Sequence, residues 1–183
     1  MDSRKNQTAV KQPTEEPPAI SGTDLVVRPG KDGDANRILA LMREVFIDEM
    51  GWNRAFLADA ARTLVEILTN KSGPGNLFLV CHSPRKIVAV VTLLDVGAGI
   101  GFIRWLVIHQ DARGIGLGRL LLGRTLIFAK DAGFTRVRLV TVRDLPQALD
   151  FYLKAGFREV GTKTDSLWAM PLTLCFMEME ITL

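Results

Sequence analysis

The chain has 183 residues, 48% of them hydrophobic and 23% charged, which fits one ordinary globular domain and excludes wholesale disorder or a collagen-like or repeat composition. Its 23 Lys and Arg against 20 Asp and Glu leave a net charge of +3, too small a surplus to mark a nucleic-acid binder. The two cysteines, Cys81 and Cys175, lie far apart in apolar runs with no Cys-x-x-Cys and no clustered histidines, which argues against a metal site or a disulfide scaffold and for a reducing cytoplasm.

Residues 1–23 are polar, contain Pro13, Pro17 and Pro18, and have almost no large apolar side chains. They cannot bury enough surface to offset ordering entropy and read as a flexible tail, without the apolar core of a signal peptide. An ordered domain is expected over 24–183. It opens with a short strand, Leu25 to Arg28, stopped by Pro29-Gly30. Asp32 or Asp34 then caps a helix in which Ile38, Leu41, Met42, Val45 and Phe46 recur at helical spacing, and Gly51 breaks it. A second helix is expected over about 53–68, with Phe56, Leu57, Ala60, Leu64, Ile67 and Leu68 as its buried stripe.

Beyond the turn cluster 71–76 the period changes. Leu77–His82, Lys86–Asp95 and Phe102–His109 read as three closely spaced strands of an antiparallel meander. The longest weakly charged stretch, Ile87–Ile103, carries Asp95, Gly97, Gly99 and Gly101, so it reads as two strands and a turn rather than a membrane span. A helix follows over about 116–132, then a strand Arg136–Val142, a helix over about 146–155 ended by Gly156, and one or two strands within 157–183. The order implies an α/β (α+β) fold: a mixed, mostly antiparallel sheet with helices on both faces.

The positive excess is concentrated between Arg104 and Arg143, where eight Lys and Arg face two Asp and Glu. Within it, Arg104-Trp-Leu-Val-Ile-His-Gln-Asp-Ala-Arg-Gly-Ile-Gly-Leu-Gly-Arg119 places an apolar strand, a polar turn, a glycine-rich loop and a helix start in succession. Gly114, Gly116 and Gly118 remove side chains so that backbone N–H groups can close on a ligand, and a helix N-terminus adds unpaired donors and a positive dipole end. A Walker loop would need Gly-Lys-Ser/Thr where Gly118-Arg119-Leu120 stands, and the dinucleotide fingerprint finds Arg119 or Leu121 where it needs glycine.

The spacing Arg113-x-x-Gly116-x-Gly118 instead resembles the acyl-CoA pyrophosphate loop of the GNAT superfamily of N-acetyltransferases. The resemblance extends to Leu25-Val-Val-Arg-Pro-Gly with its helix, to Gly133-Phe134 before a strand, and to Phe151-Tyr152-Leu-Lys-Ala-Gly-Phe157, in family order. It implies a splayed parallel strand pair, 102–109 and 136–142, with acetyl-CoA between them. The pantetheine arm would pair with the backbone of Leu106, Val107 and Ile108, and the pyrophosphate would meet Arg113 and the backbone of Gly114, Ile115, Gly116, Leu117, Gly118 and Arg119. Tyr152, the only tyrosine, would protonate the departing CoA thiolate. The alternative for Tyr152 is plain core packing beside Phe151 and Phe157. Met50, Trp52, Asn53 and Phe56 fall where the family walls its acceptor site.

The implied activity is transfer of an acetyl group to a primary amine by direct attack in a ternary complex; neither cysteine matches a site for a covalent intermediate. Two departures stand out. Gly101-Phe-Ile-Arg104 offers no carboxylate as general base, which leaves Glu44, Asp48, Glu49 and Asp95; and Leu145 precedes Pro146 where the family commonly has Asn. A rival reading is a non-catalytic acyl-CoA-binding sensor or partner-binding module on the same fold. A nucleic-acid surface is a weaker rival, since no aromatic residues interleave the basic ones as single-strand binders require. His82 and His109 read as singletons at strand ends, Trp105 as a buried aromatic, and the late strands as capable of pairing two subunits into a homodimer.

Overall fold

The computed structural model describes residues 23–71 and 73–182, so the expected tail lies outside the described residues except for Thr23. Seven strands form one sheet: β1 (Val26–Pro29), β2 (Leu77–His82), β3 (Ile87–Asp95), β4 (Ile100–Ile108), β5 (Arg136–Val142), β6 (Arg158–Leu167) and β7 (Met170–Glu180). Their order is β1-β2-β3-β4-β5-β7-β6, and every neighbouring pair is antiparallel except β4–β5. The helices are α1 (Ala35–Met42), α2 (Ala55–Asn70), α3 (Leu117–Asp131) and α4 (Pro146–Lys154). Strands β2 and β5 coincide with the sequence reading. The third meander strand starts earlier than expected, at Ile100, because the turn closes tightly with Ile100 N–H donating to Gly97 O at 3.0 Å. Likewise α2 starts later, since the Asn53 side chain accepts the Ala55 N–H at 2.9 Å and occupies the turn before the helix.

Side-chain alternation along the strands feeds two apolar layers. On one face, Ile38, Leu41, Val45, Phe56, Leu64 and Ile67 pack on Phe78, Val80, Val90 and Val107. On the other, Leu117, Leu121 and Phe128 of α3 pack with Leu79, Val91, Ile103 and Leu139. Each fully buried side chain of this size contributes about 1.5–3 kcal/mol relative to exposure. Because β2 and β3 are covered on both faces, they read as continuous apolar runs rather than alternating ones.

Two irregularities place the site. First, the β3–β4 register slips between Thr92↔Trp105 and Leu93↔Ile103, so Arg104 is an extra residue on β4. A one-residue bulge reverses which face each later side chain meets. Trp105 and Val107 therefore join the α1–α2 layer while Leu106 and Ile108 join the α3–α4 layer. Arg104 donates to Thr63 Oγ1 at 3.1 Å, and Thr92 Oγ1 is the single buried side-chain polar atom without a partner among the described residues. Second, β4 pairs with β5 only from Ile100↔Arg136 to Ile103↔Leu139, whereas β5 stays paired with β7 as far as Val142↔Leu174. The end of β4 has no strand on its β5 side.

Candidate active site

The gap left by β5 is a cavity of about 540 Å³. Leu106, Val107 and Ile108 form one wall, and Leu145, Gln147, Ala148, Phe151 and Tyr152, at the start of α4 and within it, form the opposite one. Val45, Phe46, Glu49 and Met50 close it from the end of the first helix, and Arg113 and Gly118 lie at the glycine loop. The first helix does not end at Met42: it continues from Arg43 to Glu49 in the wider π winding, a form that recurs at functional sites.

The loop itself is built to present donors. After β4 a short 3₁₀ turn, Gln110–Ala112, leads into Gly114 (φ +79°) and Gly116 (φ +84°), conformations that side-chain-bearing residues rarely adopt. Gly116 starts α3, and Leu120 N–H donates back to Gly116 O at 3.1 Å. The six backbone N–H groups from Gly114 to Arg119 have no protein acceptor among the described residues. Gly118 is closely packed: a Cβ there would come within 3.2 Å of Ile108 Cδ1 and 3.6 Å of the Phe151 ring. Unpartnered N–H groups at a helix N-terminus suit an anion such as a diphosphate. Arg113 stands beside them. Its Nε donates to Ile108 O at 3.0 Å, and its Nη1 and Nη2 donate to Glu49 Oε1 and Oε2 at 2.5 and 2.9 Å.

Tyr152 lies on α4 with 7% of its surface exposed, edge-on to Phe151 and Phe157. It packs in the core, as the packing alternative expects, and also lines the cavity. Its hydroxyl makes no hydrogen bond to the protein among the described residues, and burial pushes the phenol well above its ordinary range. It therefore stays protonated and able to donate.

Of the four carboxylates offered by the sequence, only Glu49 lines the cavity. Asp95 holds the β3–β4 turn through the Gly97 N–H at 2.8 Å, and Asp48 pairs with Arg43 on the surface. Glu44 pairs with Lys86 at 2.8 Å, a hydrogen bond that holds its carboxyl below the usual range. That cluster corrects the reading of His109 as a singleton: its Nε2 lies 3.1 Å from Glu44 and its Nδ1 accepts the Asp111 N–H at 3.2 Å. No group of three or more potential metal ligands occurs among the described residues.

The expected acceptor wall divides. Met50 lines the cavity; Trp52 and Phe56 sit in an aromatic cluster with Phe46 and Trp168, ring centroids 4.5–5.4 Å apart; Asn53 donates its N–H to Met170 Sδ at 3.3 Å. Phe46 bridges cavity and cluster. The sequence reading took Phe46 as core stripe and missed Trp168, which arrives from the β6–β7 turn with φ +52°. No sequence spacing signals that arrival. The basic run is dispersed: Arg113, Arg136, Arg138 and Arg143 face Glu49, Glu178 and Glu159.

The parallel strand pair β4–β5 thus parts beside a glycine-rich helix N-terminus, with an apolar cleft between the strands and a donor-lined end. The model of the Acetyltransferase (GNAT) family matches residues 39–157, and the chain belongs to that family. N-acetyltransferase 8B of Homo sapiens is 29% identical over 131 residues, covering 68% of this chain; the chain spans 57% of that relative's length. Among solved structures, an acetyltransferase of the GNAT family from Streptococcus pneumoniae matches with a TM-score of 0.68 at 21% identity, covering 86% of this chain and 99% of that one. The PaiA N-acetyltransferase from Thermoplasma acidophilum, solved in complex with coenzyme A, matches at 0.64 and 18% identity, covering 85% and 98%.

Proposed function

We propose that this chain is an acetyl-CoA-dependent N-acetyltransferase that passes the acetyl group directly to a primary amine in a ternary complex. The observation that carries the reading is the parting of β4 from β5 at Ile103, which opens the cavity between the β4 backbone, Tyr152 and the six free N–H groups of the loop. The thioester supplies an activated acetyl group. The residues of this chain bind and orient it. The backbone of Leu106, Val107 and Ile108 offers an open strand edge to the extended amide-bearing arm, as in β-augmentation. Arg113 and the N–H groups of Gly114, Ile115, Gly116, Leu117, Gly118 and Arg119 hold the diphosphate by charge-assisted hydrogen bonds. The Tyr152 hydroxyl, buried, protonated and unpartnered, donates to the departing thiolate.

The amine enters from the side of Phe46 and Met50, with Trp52, Asn53, Phe56 and Trp168 backing that wall. Leu145 contributes an apolar contact where the family's Asn would hydrogen-bond. Residues 24–183 act as one domain in this reading, supported by the single continuous sheet. The two free, buried thiols, with burial pushing Cys81 up to about 11, fit a reducing cytoplasm. The long exposed edge strand β6 suits pairing with a second copy. Calorimetry with acetyl-CoA, followed by release of CoA thiol on an amine panel, tests the reading. Binding with turnover on an amine supports it; binding with no turnover on any amine replaces it with an acyl-CoA sensor; no binding removes both.

A further inference from the structure

His109 is buried, with 7% of its surface exposed, at the point where β4 ends and the turn Gln110–Ala112 leads into the glycine loop. Its main-chain N–H donates to Val88 O at 2.8 Å. Each ring nitrogen has one donor and one acceptor within reach. Nδ1 lies 3.2 Å from the Asp111 main-chain nitrogen and 3.2 Å from Asp111 Oδ2. Nε2 lies 3.0 Å from Lys86 Nζ and 3.1 Å from Glu44 Oε2. Lys86 Nζ also donates to Glu44 Oε2 at 2.8 Å and stands 3.9 Å from Asp111 Oδ2, and Arg43 adds its charge beside Glu44.

A neutral imidazole has one N–H and one bare nitrogen. The Asp111 N–H needs a bare Nδ1, which places the ring proton on Nε2, where the Glu44 carboxylate accepts it. In that state His109 caps an orphan donor at the start of the turn. With a second proton, Nδ1 no longer accepts, and the Asp111 N–H faces another donor. Asp111 Oδ2 and Glu44 Oε2 each then take one ring N–H, so two carboxylates absorb the new charge and the change that remains is the lost cap. Arg113 and Gly114 follow that turn directly.

We propose that His109 is a positioning residue for the glycine loop: bare at Nδ1 it caps the turn that places Arg113 and the loop N–H groups, and protonated it releases that turn, so that diphosphate binding weakens toward acid. This regulation rests on the acetyl-CoA reading above and adds a dependence on pH to the same site. Imidazole is the side chain suited to it, since its charge changes between about pH 5 and 8.

Calorimetry on the full chain from pH 8 to pH 5.5 tests the proposal with dephospho-CoA, whose diphosphate keeps its charge over that range; the 3′-phosphate of CoA itself changes charge near about pH 6. Wild-type affinity should fall roughly three- to tenfold toward acid, the share of one hydrogen bond. Pantetheine, which has no phosphate, should show no such fall. His109→Asn sets an amide oxygen where Nδ1 stands and takes up no proton, so it should keep the pH 8 affinity throughout. His109→Leu should bind at pH 8 as weakly as wild type does at pH 5.5. Nitrogen-15 NMR at pH 8 should find the His109 proton on Nε2, with His82, which pairs with Ser83 O, as internal reference. A flat wild-type profile, one that tightens toward acid, a slope that survives in His109→Asn, or a proton on Nδ1 at pH 8 overturns the proposal while the acetyl-CoA reading stands. Wild-type protein that binds neither CoA nor dephospho-CoA at any pH overturns that reading and the proposal with it. Circular dichroism and urea midpoints at both pH values exclude misfolding as the source of either change.

Discussion

The two halves of β4 share a strand but not a fate. Residues Ile100–Ile103 are flanked by β3 on one side and β5 on the other, and the side chains of Ile100 and Ile103 lie in the core. Residues 104–108 keep β3 but lose β5, and there the cavity opens. The paired half gains its stability from ladder bonds and burial. The open half retains strand geometry through β3 with no strand on its β5 side, which is what an extended ligand needs from an edge. In the proposed function, stability and binding thus divide along the nine residues of one strand.

If that separation is real, substitutions on either side of Ile103 should fail differently. Ile103→Ala, 3% exposed in the layer beneath α3, should cost about 3–4 kcal/mol in a urea denaturation while sparing acetyl-CoA affinity in protein that remains folded. Tyr152→Phe should behave in the opposite way. It removes a hydroxyl without protein partners, so stability at pH 7 should hold within about 0.5 kcal/mol while kcat for acetyl transfer falls roughly 100-fold. The same variant has a pH signature. Burial raises the folded-state pKa of Tyr152, so its neutral phenol contributes stability that is fully present below the unfolded value of about 10 and lost as pH rises beyond it. Wild-type unfolding free energy should therefore fall above pH 10 more steeply than that of Tyr152→Phe. Equal slopes would show that the phenol is not desolvated.

Arg113→Gln probes the far end of the open half. Losing charged contacts to the diphosphate should weaken CoA binding by about 1.5–3 kcal/mol, with pantetheine affinity little changed. The smallest effect belongs to the bulge where the two halves meet. Thr92→Val replaces a buried hydroxyl without a partner by a methyl of similar size, and should raise the thermal midpoint by an amount equal to about 1 kcal/mol. A loss of stability there would reveal a hydrogen bond through ordered water.

Much of this was legible in residue order. The strand Leu77–His82 is a nearly continuous apolar run and Arg136–Val142 an alternating one rich in β-branched residues, both between turn residues, and local preference and burial agree on them. The glycine loop was readable for a related reason: positive φ at positions 114 and 116 demands glycine, so the backbone requirement is written in the residue type. Tyr152 stood out as the only tyrosine in a short motif. The departures arose where local preference is silent. The π winding after Met42, the bulge at Arg104 and the arrival of Trp168 beside Trp52 depend on contacts between segments distant along the chain.

By itself, then, the sequence determined the order and kind of the elements, the loop that must bend where only glycine bends freely, and the donors that loop leaves free. Those follow from short-range sterics and periodicity, which act within a few residues. Tertiary structure alone decided which of four carboxylates reaches the cavity, that His109 sits among Glu44, Lys86 and Asp111, and that Arg113 is held by Glu49. Such pairings join side chains across 64 residues in the last case, and no local preference sets a distance that only the packed sheet brings to 2.5 Å.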